Sequence, residues 1–326
     1  YAEDPFSDFV PSIGRLSKYL PPRRSESVRV DSGVREGDVI SRFYDPIMAK
    51  VCSYGENRDQ AILHMQMALD EFFISGVEHN IPFLSALMAH TRFQAGDLTT
   101  DFIHDEYPDG FKPAHIPPDD PHLLPAAATV IPLCGEHRQA PTSGQLPGYE
   151  MQVGENWIVQ VRGEQHAVSV RYDDAEYRVQ VHGVDFAVRT DWYPGRNLFK
   201  GTVDGRPLAV QVVFVGLGYR LFHAGAVAEA LVMPPRVAEL YAQMPVKEPP
   251  DLSRFLLSPM PGQLLSVSVE EGDRVRAGQL LAIVEAMKME NVLRAERDGT
   301  VERVLASPGE DLTRDQPILE FAQESS

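Results

Sequence analysis

Glu285-Ala286-Met287-Lys288-Met289-Glu290-Asn291 is the stretch from which the fold is read, because of what stands on either side of it. The segment from Gly262 to Leu281 recurs, at an offset of 37 residues, as Gly299 to Ile318. Gly262 maps on Gly299, Leu264 on Val301, Val267 on Val304, Gly272 on Gly309, Asp273 on Glu310, Val275 on Leu312 and Gln279 on Gln316. Two copies of one strand–turn–strand unit predict a quasi-symmetric all-β module, since neither half can bury its apolar face alone. The quoted stretch lies between the copies, where the chain must reverse, so Lys288 is expected at an exposed hairpin tip. A lysine held there carries a nucleophilic amine on a flexible four-carbon stem, well clear of the fold, and so suits the tethering of a cofactor. Gly262, Gly272, Gly278 and Gly299 read as turn positions with φ above zero. Val267, Val269, Leu281, Ile283 and Val304 supply the alternating core.

Ser258-Pro259-Met260-Pro261-Gly262, Glu271-Gly272-Asp273 and Glu285-Ala286-Met287-Lys288-Met289 together resemble the biotinyl, or biotin carboxyl carrier, domain. That resemblance implies biotin in amide linkage to Lys288. Lipoyl domains share the fold but usually place an aspartate before the lysine, where Met287 stands. Met287 and Met289 are expected either to present the hairpin to a biotin protein ligase and to catalytic sites, or simply to pack the turn.

The length of 326 residues predicts two to three domains, each able to bury a core. With 47 acids against 30 Lys and Arg, neither nucleic acid nor an anionic membrane is the expected partner. Cys52 and Cys134 are the only cysteines, without metal-like spacing, which excludes a disulfide scaffold and fits a reducing compartment. No apolar run reaches transmembrane length, and Tyr1-Ala2-Glu3-Asp4 is not a signal peptide. An opening tyrosine reads as the remainder of a longer protein.

From the start to about residue 110 the pattern is α/β. Strands are predicted at Ser27 to Asp31 and Val39 to Tyr44, with Gly37-Asp38 as a turn. Ala61, Ile62, Met65, Ala68, Leu69 and Phe72 fall at helical spacing behind an N-cap at Asn57 or Asp59, with Gly76 closing the helix and Pro82 opening a second one. Ala2-Glu3-Asp4-Pro5, Pro11-Ser12-Ile13-Gly14, Val28-Arg29-Val30-Asp31-Ser32, Tyr44-Asp45-Pro46-Ile47-Met48-Ala49-Lys50 and Tyr54-Gly55-Glu56-Asn57-Arg58 resemble the C-terminal lobe of biotin carboxylase. In that family the arginine matching Arg29 contacts bicarbonate and the ureido ring of biotin, which makes Arg29 the candidate catalytic residue. A guanidinium offers paired donors to a planar anion and to a developing enolate-type oxygen. Neither a Gly-rich phosphate loop nor a paired metal-binding carboxylate motif occurs in these residues, so the ATP-grasp part of such an enzyme is expected before Tyr1.

Pro113, Pro117, Pro118 and Pro121 mark a linker, followed by an apolar stretch, His122 to Cys134, expected to form a buried helix despite Pro125 and Pro132. Clean alternation then begins, at Trp157 to Val161, His166 to Val170 and Tyr177 to Val181, and continues at Phe186 to Thr190, Leu198 to Val203, Leu208 to Val215 and Tyr219 to His223. Asp173-Asp174 and Asp204-Gly205 supply hairpin turns. About eight antiparallel strands and one hydrophobic helix predict a barrel wrapped around that helix. His166, His182 and His223 fall on these strands at irregular spacing without an acidic cluster, so no metal site is assigned. A barrel of this pattern between a biotin carboxylase lobe and a carrier resembles the BT, or subunit-mediating, domain of acyl-CoA carboxylase alpha subunits. A short helix follows Pro234-Pro235, and Pro245 and Pro249-Pro250 suggest a stiff linker to the carrier.

The sequence is therefore read as multi-domain and mainly β: a small α/β lobe at 1–110, a barrel around a helix at 111–250, and a flattened β-sandwich or barrel at 251–326. Its resemblance is to biotin-dependent acyl-CoA carboxylases, to propionyl-CoA carboxylase alpha subunits before methylcrotonyl or geranyl ones, on Gly76-Val77-Glu78-His79-Asn80-Ile81-Pro82-Phe83-Leu84 and Phe255-Leu256-Leu257-Ser258. That resemblance implies that ATP, Mg and bicarbonate carboxylate biotin on Lys288, and that a carboxyltransferase beta subunit makes methylmalonyl-CoA from propionyl-CoA. The implied partners are the beta subunit, a biotin protein ligase and the ATP-grasp region of the same subunit. The implied location is the bacterial cytoplasm, or the mitochondrial matrix in a eukaryote. A non-catalytic carrier and scaffold is the reading from another class.

Overall fold

A computed structural model describes residues 1–116, 121–148, 150–245, 252, 254–286 and 289–322. Its first part holds seven strands, β1 (Glu3–Asp4), β2 (Val10–Pro11), β3 (Gly14–Arg15), β4 (Lys18–Leu20), β5 (Val28–Ser32), β6 (Val39–Ile40) and β7 (Ala49–Ser53), followed by α1 (Arg58–Glu71), β8 (Phe73–Ser75) and α2 (Ile81–Ala89). Two short helices, α3 (Thr91–Ala95) and α4 (Phe102–Glu106), close it. The strands pair as small antiparallel couples, β1 with β2, β3 with β6, β4 with β8 and β5 with β7. Asn57 caps α1, its side chain accepting from the Gln60 amide, and Pro82 sits in the first turn of α2.

Gly76 does not close α1, as its spacing suggested. The helix stops at Glu71, and the chain then forms β8, whose Phe73 and Ile74 are buried. Gly76 follows that strand with φ of 104°, and a Cβ there would meet the Arg15 carbonyl oxygen at 2.1 Å, so both its conformation and its surroundings demand glycine.

The centre is α5 (Leu123–Gln139) inside a closed barrel of eight strands. These are β9 (Asn156–Val161), β10 (Glu164–Asp173), β11 (Glu176–Val181), β12 (Val184–Thr190), β13 (Leu198–Val203), β14 (Arg206–Val215), β15 (Gly218–His223) and β16 (Ala226–Met233). Consecutive strands pair antiparallel, and β16 returns to β9. Val130, Ile131 and Leu133 of α5 are fully buried against Val159, Phe199, Val210 and Leu221. At about 1.5–3 kcal/mol for each large side chain buried, this packing outweighs the roughly 3 kcal/mol that Pro132 costs a helix interior. The helix runs past Cys134 because the closed barrel continues around it. The β10–β11 turn is Asp174-Ala175, one residue later than the sequence suggested, with Asp173 still paired to Glu176.

After α6 (Pro235–Tyr241) come β17 (Phe255–Leu257), β18 (Gly262–Val267), β19 (Arg274–Val275), β20 (Leu280–Ala286), β21 (Met289–Arg294), β22 (Gly299–Val304), β23 (Asp311–Leu312) and β24 (Pro317–Phe321). They form two four-stranded sheets, ordered β17-β24-β22-β19 and β21-β20-β18-β23. The repeat is visible in the pairing: β18 pairs with β20 and β23, as β22 pairs with β24 and β19. Leu264, Leu281, Val284, Val301, Ile318 and Leu319 form the fully buried core between the sheets.

The C-terminal end of α1 packs against the outer face of the barrel. Asp70 and Glu71 lie at the negative end of a helix that has no basic residue in its last turn, an arrangement unfavourable in isolation. The barrel supplies what is missing. Lys200 Nζ lies 2.6 Å from Glu71, His223 Nδ1 lies 3.3 Å from Asp70, and the Ala224 amide donates to Asp70 Oδ1 at 2.8 Å. Gln211 Nε2 donates to the carbonyls of Asp70 and Phe72, both at 3.1 Å, satisfying acceptors that the helix end leaves open.

Candidate functional site

The two predicted site residues fall on different bodies. Arg29 lies on β5, opposite Cys52 of β7, with its side chain two-thirds exposed. Its Nε sits 3.2 Å from Asp31 Oδ2, and its Nη2 lies 3.6 Å from Cys52 Sγ. These contacts on a paired strand aim the guanidinium while leaving it open to an incoming anion. Such a group can hold a planar carboxylate-like ion and stabilise negative charge that develops on an oxygen.

Lys288 and Met287 lie outside the described residues. Around them, β20 and β21 form an antiparallel hairpin paired Ile283↔Val292, Val284↔Asn291, Glu285↔Glu290 and Ala286↔Met289. Met287 and Lys288 are the two residues that separate the last pair in the sequence. Val284 and Ala286 point into the core, which fixes the arms up to that last pair.

A second contact holds the root of the hairpin. Gly262, at the start of β18, approaches β20 so closely that a Cβ would meet the Glu285 carbonyl oxygen at 2.5 Å and Val284 Cγ1 at 2.8 Å. The preceding loop buries Met260, whose sulfur lies 3.8 Å from Asn291 Nδ2 on β21. Of the four glycines expected at φ above zero, Gly272 and Gly278 adopt it, at 92° and 83°, whereas Gly262 and Gly299 do not. Gly262 is required for close approach and Gly299 for neither reason, since its Cβ would meet only Phe321 at an ordinary 3.6 Å. The described arms of the hairpin are short and well anchored up to Ala286 and Met289, and the sequence places a lysine, the residue type that forms an amide link to a prosthetic group, between them.

His166 and His223 lie on strands β10 and β15, as the sequence reading has them, but His182 does not. His182 occupies the β11–β12 turn, with φ of 49°, and its Nε2 lies 3.0 Å from His166 Nδ1. His223 instead faces Ala209 and Asp70. Among the described residues no group of three or more His, Cys, Asp or Glu side chains is arranged to hold a metal ion. Cys52 and Cys134 are free thiols, the second pushed up in pKa mainly by burial. No helix among the described residues is long and apolar enough to cross a membrane. The lobe–barrel contacts of Asp70, Lys200, Gln211 and Gly225 were not readable from spacing, because their partners are more than 100 residues apart in the chain.

Three family models match in succession: the biotin carboxylase C-terminal domain at residues 1–105, the propionyl-coenzyme A carboxylase BT domain at 124–247, and biotin-requiring enzyme at 255–321. The propionyl-CoA carboxylase alpha chain of Ruegeria pomeroyi is 42% identical over 341 residues, covering 98% of this chain and 50% of the relative. The mitochondrial propionyl-CoA carboxylase alpha chain of Mus musculus is 36% identical over 328 residues, covering 98% and 45%. The mitochondrial methylcrotonoyl-CoA carboxylase subunit alpha of Mus musculus is 28% identical over 341 residues, covering 100% and 46%. The chain spans about half the length of the curated relatives it matches. From this succession of domains and these matches along nearly its whole length, the chain belongs to the biotin-dependent acyl-CoA carboxylase alpha subunits.

Proposed function

We propose that this chain is the carrier-bearing part of a propionyl-CoA carboxylase alpha subunit, with biotin on Lys288. Residues 1–110 then form the biotin carboxylase C-terminal lobe, 111–250 the subunit-mediating barrel, and 251–326 the carrier. The observation that carries the reading is the β20–β21 hairpin, anchored by Gly262 and Met260 and flanked by the two half-repeats. Biotin, when attached, supplies a ureido nitrogen that accepts a carboxyl group derived from bicarbonate with ATP and Mg, and gives it up to an acyl-CoA. The chain's own part is to bind, hold and deliver. The paired arms flank Lys288 in the sequence, and a tether between barrel and carrier lets the carrier visit two places at high effective concentration. Arg29 orients the anion and stabilises charge on an oxygen during transfer, as its exposed guanidinium allows.

The acceptor is a carboxyltransferase beta subunit acting on propionyl-CoA to give methylmalonyl-CoA, and a biotin protein ligase loads Lys288. Greater identity to propionyl than to methylcrotonoyl enzymes, 42% and 36% against 28%, supports that substrate. Phe43, Tyr44 and Tyr54 expose 67%, 78% and 68% of their surface on the first lobe, aromatic area suited to cover by the ATP-grasp region. A bacterial cytoplasm or a mitochondrial matrix fits relatives from both settings.

The test is incorporation of labelled bicarbonate into acyl-CoA by the full-length subunit with its carboxyltransferase and ATP. Propionyl-CoA should be the preferred acceptor, Lys288→Arg should abolish incorporation, and Arg29→Ala should slow it by on the order of 10²–10³ while Lys288 is still biotinylated. Incorporation by Lys288→Arg, or a preference for methylcrotonyl-CoA, would contradict the reading.

A further inference from the structure

The C-terminal sandwich is seated on the first lobe through two ion pairs that cross between them. Arg314, in the turn between β23 and β24, places Nη1 2.6 Å from Asp4 Oδ2 and donates from Nη2 to Ser7 Oγ at 3.1 Å. Arg42 of the lobe binds Asp311 of the sandwich through Nη1 and Oδ1. The receiving turn is complete without its guest: Asp4 already accepts from the Phe6 amide at 3.0 Å and from the Ser7 hydroxyl at 2.9 Å. Burial raises the pKa of this carboxyl, but Arg314, Ser7 and the Phe6 amide outweigh that and hold it below the usual range. Departure of Arg314 therefore leaves the Asp4 carboxylate with two hydrogen-bond donors. The seat is also loosely filled, since a cavity of about 600 Å³ lies where Pro259, Pro261 and Thr313 meet Val10–Ile13 of the lobe and Arg220 of the barrel.

We propose that the Asp4–Ser7 turn and Arg42 form a reversible dock for the carrier, with Arg314 as its key. The docked face is continuous with the hairpin root, because Pro259 and Pro261 bracket the Met260 that contacts Asn291. A docked carrier thus holds its hairpin near the lobe and away from any separate subunit, and release is a precondition of delivery. Partly exposed ion pairs each bias such an equilibrium by roughly two- to five-fold, enough to populate the dock and little enough to leave it escapable. The inference stands whatever group Lys288 carries.

Charge reversal tests it better than salt, because salt weakens the pairs and also screens the repulsion between two bodies that are each net acidic. The measurement is ¹⁵N relaxation of the amides of residues 254–286 and 289–322 in the whole chain. In the wild type these should tumble with the whole molecule. Arg314→Glu and Arg42→Asp should each shift them to the faster tumbling of a small tethered domain, with dispersed resonances showing that it remains folded. The exchanged pair, Arg42→Asp with Asp311→Arg, should restore slow tumbling. Independent tumbling in the wild type, unchanged tumbling in both single variants, or an exchanged pair no slower than Arg42→Asp would overturn the proposal.

Discussion

Gly262 and Gly299 hold the same place in the two half-repeats, yet alanine should act on them in opposite directions. At Gly262 the new methyl would lie 2.5 Å from the Glu285 oxygen and 2.8 Å from Val284 Cγ1, so the backbone of β20 must retreat by at least about half an ångström to reach even a tight contact. Forcing a methyl into packed backbone costs about 1–3 kcal/mol. Neither glycine has a positive φ, so alanine also stabilises each by about 0.4–1 kcal/mol through the unfolded chain. The net expectation is a loss of roughly 1–2 kcal/mol for Gly262→Ala and a small gain for Gly299→Ala, whose nearest neighbour stands at 3.6 Å. Both tryptophans, Trp157 and Trp192, lie in or beside the barrel, so intrinsic fluorescence does not report on this sandwich. Native-state hydrogen exchange of β18, β20 and β24 amides does. Protection should fall by roughly ten-fold in Gly262→Ala, and biotinylation of the displaced hairpin should slow. Equal protection in the two alanine variants would refute the close-approach argument.

Asp70→Ala should lower the unfolding midpoint read by barrel tryptophan fluorescence, although Asp70 belongs to the first lobe, because the Ala224 amide loses its acceptor at a cost of about 1–3 kcal/mol. An unchanged midpoint would mean that the α1 contact contributes nothing to the barrel. His79 is pushed down to about 4 mainly by burial, and its Nδ1 has no hydrogen-bond partner, so the ring is neutral in the fold. The unfolded chain takes up a proton below about 6.5 while the folded one does not, so stability is complete above that pH. It is lost as pH falls toward 4, by up to roughly 3 kcal/mol. A His79 ring resonance titrating near 6.5 in NMR would contradict this.

Local signals made much of the fold legible. The half-repeat announced the sandwich, alternation announced seven barrel strands, and the spacing from Ala61 to Phe72 announced α1. What escaped depends on distant partners. Strand β16 reads Ala226-Val227-Ala228-Glu229-Ala230 at its start, more helical than extended by composition. Its small residues are set by α5, which fills the barrel interior against which Ala228 and Ala230 pack. Strand β8 is three residues long and exists because β4, far upstream, pairs with it. The repeat also gave Gly262 and Gly299 the same letter without revealing that a Cβ would collide with a neighbouring strand only at Gly262. At the candidate site, Arg29 and the hairpin were legible from motifs, whereas the supporting contacts of Asn291 with Met260 and of Arg314 with Asp4 join segments that no local pattern connects.

The central claim is the attachment of biotin to Lys288, and intact-protein mass spectrometry with peptide mapping tests it directly, after co-expression with a biotin protein ligase. The account predicts one biotin-sized addition, confined to the peptide containing Lys288 and absent from Lys288→Arg. An unmodified lysine, a lipoyl-sized addition, or biotin on another residue would contradict it.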